Sequence, residues 1–243
     1  KALPYFPIQE DNPFLGWRGI RVSLDHPEIF IAQIRAMIRA SEGIDCYLRI
    51  MLPMVSSIAE VDMAKQLIDQ CVREVEEEGV IFKRPDIGVM IEVPAAVYQA
   101  EDILKRVDFL SVGSNDLVQY MLAVDRNNAQ VAGLYQEFHP AVLKALKQVA
   151  DAAIKAGKGV GICGEMAGNP GAALLLMAMG YQVLSMNSPN LLVVKKVLTS
   201  LTLTAAKALL DEVLQLETAQ EIKRRTDETL AEAGLGQLIR VRR

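Results

Sequence analysis

Two rhythms of apolar residues alternate along the chain. Residues 27–41 (PEIFIAQIRAMIRAS) place apolar side chains at helical spacing behind a proline, which predicts an amphipathic helix. Residues 47–52 (YLRIML) form a short apolar run that predicts a buried strand. Ser57 and Glu60 have the spacing of a capping box, and they open a long amphipathic helix that ends near Gly79. The alternation then repeats. Strands are predicted over 87–92 (IGVMIE), 107–113 (VDFLSVG), 159–163 (GVGIC) and 183–186. Helices are predicted from Pro94, from about Asp116, over 140–156 with Gly157 as cap, and over 170–179. Residues from about 190 to 233 predict two or three charged amphipathic helices.

Continuous apolar strands that alternate with helices indicate an α/β protein with a buried parallel sheet. Repeat units of roughly 25–40 residues suit a (β/α) barrel. No GxGxxG follows the first strand, which disfavours a dinucleotide-binding sheet. Five strands are clear, and the segment around Phe138 is a candidate for a sixth. A closed barrel needs eight.

Composition narrows the class. The chain has 243 residues and a formal net charge of −4, which argues against nucleic-acid binding through a basic surface. The longest clean apolar run, 172–179, is far short of a membrane span, and no leader or lipidation motif is present. The three cysteines lack CxxC spacing, which excludes a zinc knuckle or disulfide framework and suits a reducing cytoplasm. The chain begins with Lys1 rather than Met, as a fragment would.

Polar residues gather where the strands end, the face on which barrels carry their chemistry. Glu92 ends one strand and Asp116 follows the next, so two carboxylates hang from neighbouring strands. Such a pair can hold Mg²⁺, and pairing with a nearby arginine is the other reading. Arg18, Arg49 and Arg126 lie near strand ends or the loops after them. Arginine forks bind phosphate or carboxylate, and with Mg²⁺ they suit a small, highly anionic phosphate ester. Arg21, Arg35 and Arg39 read as solvent-facing. Cys163 lies in GICGEMAG between glycines, where a thiol can donate a proton to a carbanion or serve only as packing. Cys46 and Cys71 read as structural, and His26 and His139, each before a proline, as helix caps.

NPFLGWRGIR, LRIMLPMV, GVMIEVPAA, FLSVGSNDLVQYMLAVDRNN and GICGEMAG occur in this order. Together they resemble the C-terminal domain of Enzyme I of the bacterial phosphoenolpyruvate:sugar phosphotransferase system, from about residue 1 to at least 200. The resemblance implies a (β/α)8 TIM-type barrel of the phosphoenolpyruvate/pyruvate superfamily, partial over 1–200, with helices over 201–243 completing or flanking it. Two strands of the family barrel precede the KALPY segment, so this barrel is expected to lack them. Glu92 and Asp116 match magnesium ligands, Arg18, Arg49 and Arg126 match arginines around phosphoenolpyruvate, Asn115 a substrate contact and Cys163 the proton donor. Ser114 stands where the family usually has threonine. The implied reaction moves phosphate from phosphoenolpyruvate to a histidine of another domain and on to an HPr-type carrier, releasing pyruvate. Neither histidine here fits that acceptor, so this chain alone is expected to bind phosphoenolpyruvate without phosphorylating a carrier. KALPYFPI, NNAQVAGLY and GLGQLIR look most like the nitrogen-related branch. A cytoplasmic homodimer is the expected assembly. Two other readings stand beside this one: a magnesium-dependent aldolase of the citrate-lyase type, and a ligand-binding or dimerisation module without turnover.

Overall fold

The structure is a computed structural model that describes residues 10–240, with side chains through residue 238. The KALPYFPI stretch lies outside the described residues, as do the last three residues. Five parallel strands stand side by side in chain order: β1 (Arg49–Leu52), β2 (Asp86–Ile91), β3 (Phe109–Gly113), β4 (Gly159–Cys163) and β5 (Val183–Ser185). The order never reverses, which is the arrangement of a (β/α) barrel and not of a doubly wound sheet. The segment around Phe138 forms no strand. It is a loop that leads into a helix capped by His139.

Helices fill the connections. α1 (Ile20–Asp25) and α2 (Pro27–Ala40) precede β1, and α3 (Ile58–Glu77) leads to β2. α4 (Pro94–Tyr98) and α5 (Ala100–Leu104) lead to β3, and α6 (Ser114–Leu122) and α7 (Pro140–Lys155) to β4. α8 (Pro170–Met179) joins β4 to β5, and α9 (Ser188–Ser200), α10 (Leu203–Val213), α11 (Ala219–Glu232) and α12 (Gly236–Arg240) follow. The Ser57–Glu60 capping box is present at the start of α3. His139 caps α7 through Nδ1, which accepts the Ala141 N–H at 3.2 Å. α3 touches α5, α5 touches α7 and α7 touches α8, so the helices follow one another around the sheet. α8 is apolar on every side and buried almost throughout, because α9, α10 and α11 cover the surface it turns away from α7.

The two faces of the sheet differ. Ile50, Leu52, Ile87, Val89, Ile91, Leu110, Val112, Val160 and Ile162 are buried against the helices. The alternate positions, Arg49, Met51, Phe109, Ser111 and Val183, are partly or largely exposed among the described residues. The continuous apolar runs predict burial on both faces; here only the helix side is sealed. On the open face Gly88 is required by its neighbour. A Cβ there would lie 2.3 Å from the Phe109 ring, which covers that spot from the next strand.

The sealed face supplies most of the packing energy of the sheet. Leu110→Ala should therefore cost about 2–5 kcal/mol, the range for a fully buried leucine. Met63→Ala, at a half-exposed site on α3, should stay within about 0.5 kcal/mol. Urea denaturation of the two variants against the parent chain checks the contrast.

Candidate active site

The carboxyl ends of β1 to β4 converge on one group of polar side chains. Glu92 follows the last residue of β2, and its side chain turns back toward β1. There its Oε1 accepts the backbone N–H of Met54 at 2.6 Å. The chain turns sharply at this point: Met54 has φ 59°, and Gly19 packs on it with the same φ. Glu92 is only 5% exposed, and burial raises its carboxyl above the ordinary value. The charge of Asp116 adds to the rise, while the Met54 N–H and the charge of Arg18 oppose it.

Asp116 lies in the first turn of α6, just beyond β3, and is 7% exposed. Two arginines hold it. Arg18 Nη2 donates to Oδ2 at 3.0 Å across 98 positions of sequence. Arg126 Nη1 lies 3.1 Å from Oδ1, close enough to pair in charge but without hydrogen-bond alignment. Phe14 completes the unit. Its ring faces both guanidinium groups, with centroid distances of 5.6 Å to Arg18 and 5.5 Å to Arg126, within cation–π range. Tyr120 fixes this ring from behind by donating its hydroxyl to the Phe14 carbonyl. Gln119 accepts the Arg126 backbone N–H at 3.2 Å and anchors the loop that carries that arginine.

Cys163 closes β4 and sits opposite Gly113 in the sheet register. Burial raises its thiol above the ordinary value, and the negative charges of Glu92 and Asp116 raise it further; Gly113, its register partner, abuts Glu92, with a Cβ there only 2.7 Å from Oε2. At this pole the group is a neutral acid and not a thiolate nucleophile. Asn115 does not point at the arginines. Its Oδ1 accepts the Glu165 N–H at 2.9 Å, and its carbonyl accepts the Tyr135 hydroxyl at 3.3 Å. Tyr135 is itself pushed up to about 12, mainly by burial and then by the charge of Glu137.

Thus Arg18, Glu92, Asp116, Arg126 and Cys163 come together, with Asn115 at their margin. Arg49 does not join them. It is the first residue of β1, whereas the site lies past the last, and its side chain pairs with Asp86 at 3.5 Å and stacks on Phe109 at 4.8 Å. Phe14, Gln119, Tyr120 and Tyr135 have no signal of their own in the sequence, although Phe14 shares the NPFLGWR segment with Arg18.

The donor set suits a hard cation in one respect. Asp116 Oδ1 is buried and receives no hydrogen bond, and the second carboxylate is near enough to raise its neighbour. An oxygen-seeking divalent ion would answer both defects with two carboxylates, water and substrate oxygens. Among the described residues no cluster of three or more His, Cys, Asp or Glu side chains forms a cage that could hold a metal by itself. A cavity of about 550 Å³ shares Phe14 and Met54 with this group and is otherwise lined by residues such as Leu15, Pro94 and Val124.

Burial of Glu92 has a consequence for stability. Its raised carboxyl binds a proton more tightly in the folded chain than in the unfolded one. Stability should therefore fall as pH rises from the ordinary value of 4.5 through the raised one. Glu92→Gln keeps an oxygen for the Met54 N–H and removes the charge. In metal-free buffer this variant should melt above the parent at neutral pH, and the gap should close below pH 4.5. A melt series across pH reads both.

Comparison with known proteins accounts for the arrangement. The family described as PEP-utilising enzyme, PEP-binding domain, matches residues 1–203. A Salmonella typhimurium protein named phosphoenolpyruvate-dependent phosphotransferase system is 47% identical over 241 residues, covering 99% of this chain and 32% of that protein. A Haemophilus influenzae phosphoenolpyruvate-protein phosphotransferase is 44% identical, covering 97% of this chain and 41% of that protein. The chain thus spans between about a third and two fifths of the length of these curated relatives. Among solved structures, a citrate lyase from Burkholderia xenovorans superposes with TM-score 0.54 at 14% identity, covering 87% of this chain and 71% of that one. A Haloferax volcanii malate synthase gives TM-score 0.51 at 14% identity, covering 89% and 75%. At that identity the two share the fold alone. The match over most of the chain, on a fold that carries an arginine–carboxylate–thiol site at its strand ends, settles the kinship: the chain belongs to the PEP-utilising enzymes and comprises their PEP-binding domain.

Proposed function

We propose that this chain is the phosphoenolpyruvate-binding part of a phosphoenolpyruvate-protein phosphotransferase. The observation that carries the reading is the Arg18–Asp116–Arg126 unit beside Glu92 and Cys163. Two guanidinium groups backed by one aromatic ring can receive an anion with several oxygens. Glu92 and Asp116 would hold Mg²⁺. When bound, the ion supplies Lewis-acid stabilisation of negative charge on oxygen.

The residues of the chain then have separate tasks. Arg18 and Arg126 bind the phosphate and carboxylate oxygens and neutralise charge as the P–O bond breaks. The phosphoryl group leaves for a histidine outside this chain and passes from there to an HPr-type carrier, with a homodimer as the working assembly. The enolate left behind takes a proton at its methylene carbon, and the Cys163 S–H gives it, which yields pyruvate. The raised thiol supports this role, since the proton is present at neutral pH. The kinship of the Salmonella and Haemophilus proteins supports the phosphotransferase reading over an aldolase. The finer assignment to the nitrogen-related branch rests on the NNAQVAGLY and GLGQLIR segments.

Calorimetry with phosphoenolpyruvate and Mg²⁺ tests the site. Arg18→Ala and Arg126→Ala should each weaken binding by about 1.5–3 kcal/mol, the range for charged hydrogen bonds. Arg49→Ala should weaken it as well, as the family resemblance implies, and Arg35→Ala, which pairs with Glu74 and Glu78, should change little. Equal losses at Arg35 and Arg126 would put the ligand elsewhere. Cleavage of an acyl-CoA thioester by the chain would favour the aldolase instead.

The acid is tested in the full-length protein. Cys163→Ser should keep phosphoenolpyruvate binding and slow pyruvate release by roughly 10²–10⁴-fold, the usual contribution of a positioned general acid. Proton delivery to the methyl group should lose its facial preference, read from pyruvate made in deuterated water with a labelled substrate. An unchanged rate with unchanged stereochemistry would reduce Cys163 to packing.

A further inference from the structure

The backbone ladder between β3 and β4 ends at the pair Gly113–Cys163. Beyond it, the next two contacts between these chain segments are made by side chains. Ser114 Oγ donates to the Cys163 carbonyl at 2.8 Å, and the Glu165 N–H donates to Asn115 Oδ1 at 2.9 Å. The residue between these contacts is Gly164, with φ 110°, a conformation that side-chain-bearing residues rarely adopt. It also has no room. A Cβ there would lie 2.3 Å from Ser114 Oγ and 2.7 Å from Asn115 Oδ1. Ser114 is 1% exposed, so its hydroxyl has no water to turn to if the Cys163 carbonyl moves away.

These contacts constrain one thing in particular. The Cys163 carbonyl is held toward β3 and the chain is forced to turn immediately after it. The Cα–Cβ bond of Cys163 therefore has one direction, and the thiol one approach to the space beside Glu92 and Asp116. A loop held only by its own backbone would let β4 end in several ways. We propose that Ser114 is a positioning residue, whose hydroxyl fixes the Cys163 backbone and so aims the thiol. Gly164 is the complement that lets the two strand ends come close enough for this bond. The importance of the aim rests on Cys163 being the proton donor, but the bond itself can be tested without turnover.

The experiment measures alkylation of the chain by iodoacetamide at one pH, with each cysteine followed by peptide mass spectrometry. Cys46 and Cys71 serve as internal standards, since neither lies near Ser114. In Ser114→Ala the released turn should let the half-buried thiol reach solvent, and Cys163 should react about fivefold faster or more while Cys46 and Cys71 keep their rates. Ser114→Thr retains the hydroxyl and should restore the parent rate, which general loosening of the fold would not do. A melting curve for each variant shows that it is folded. If Ser114→Ala misfolds, Ser114→Cys replaces it: a thiol is a weaker donor, so it should give an intermediate rate. A parent-like Cys163 rate in folded Ser114→Ala, or a fast rate that Ser114→Thr fails to restore, overturns the proposal. In the full-length protein, altered facial selectivity in Ser114→Ala extends the effect to chemistry. Fast alkylation with unchanged selectivity keeps the positioning bond and refutes Cys163 as the acid, so the two ideas fail separately.

Discussion

Burying a carboxylate costs several kcal/mol unless positive charge and hydrogen bonds come with it, and Asp116 is buried at the end of β3. Much of the architecture near the site answers that one requirement. Arg18 arrives from the segment before α1, Arg126 from the loop after α6, and the Phe14 ring supports both. The loop carrying Arg126 is fixed by Gln119, and Phe14 by Tyr120, both on the same helix as Asp116. α6 thus supplies the acid and two anchors for its partners. Segments that are distant in sequence are tied to one helix by charge, and the strand ends become a site.

The sheet makes this possible by dividing its labour. One face is sealed by the helix layer and supplies the apolar burial that offsets chain entropy. That frees the strand ends from packing duties. Glycines at 88 and 113 keep the space open: a Cβ at Gly113 would lie 2.7 Å from Glu92 Oε2. The polar rim is crowded, with positive φ at Gly19, Met54 and Gly164, all next to site residues, and at Met54 that conformation is strained. Such strain persists because the sealed face over-determines where each strand ends.

Much of this was legible in the residues. β4 and α8 fall on the boundaries that GVGIC and the proline-led small-residue run predict, and the other strands lie within two residues of theirs. The reason is local: apolar runs, glycine breaks and proline starts are set by nearest neighbours in the chain. The carboxylates and the cysteine stood out because each lies at or just beyond the end of a strand. The place of Arg49 within its strand was not legible, because polarity within a run says nothing about which end it occupies. Three residues of strand follow it, about 10 Å at the usual rise, so it stands a strand's length from the rim. Phe14 and Tyr135 were invisible for a different reason. Their partners lie across loops, and no spacing rule connects them.

The pairing of Asp116 with two arginines also fixes how ligands must act on the proposed reading. The guanidinium donors that would grip an anion are the ones that now compensate Asp116. An anion that draws them away leaves a buried carboxylate short of positive charge, and this cost is subtracted from the anion's affinity. A cation at Glu92 and Asp116 removes that cost. By thermodynamic reciprocity the anion then strengthens the cation's hold to the same degree. Neither ligand alone meets a site arranged for it, because Arg18 and Arg126 already compensate Asp116. The same compensation explains why the fold tolerates two buried carboxylates at one rim.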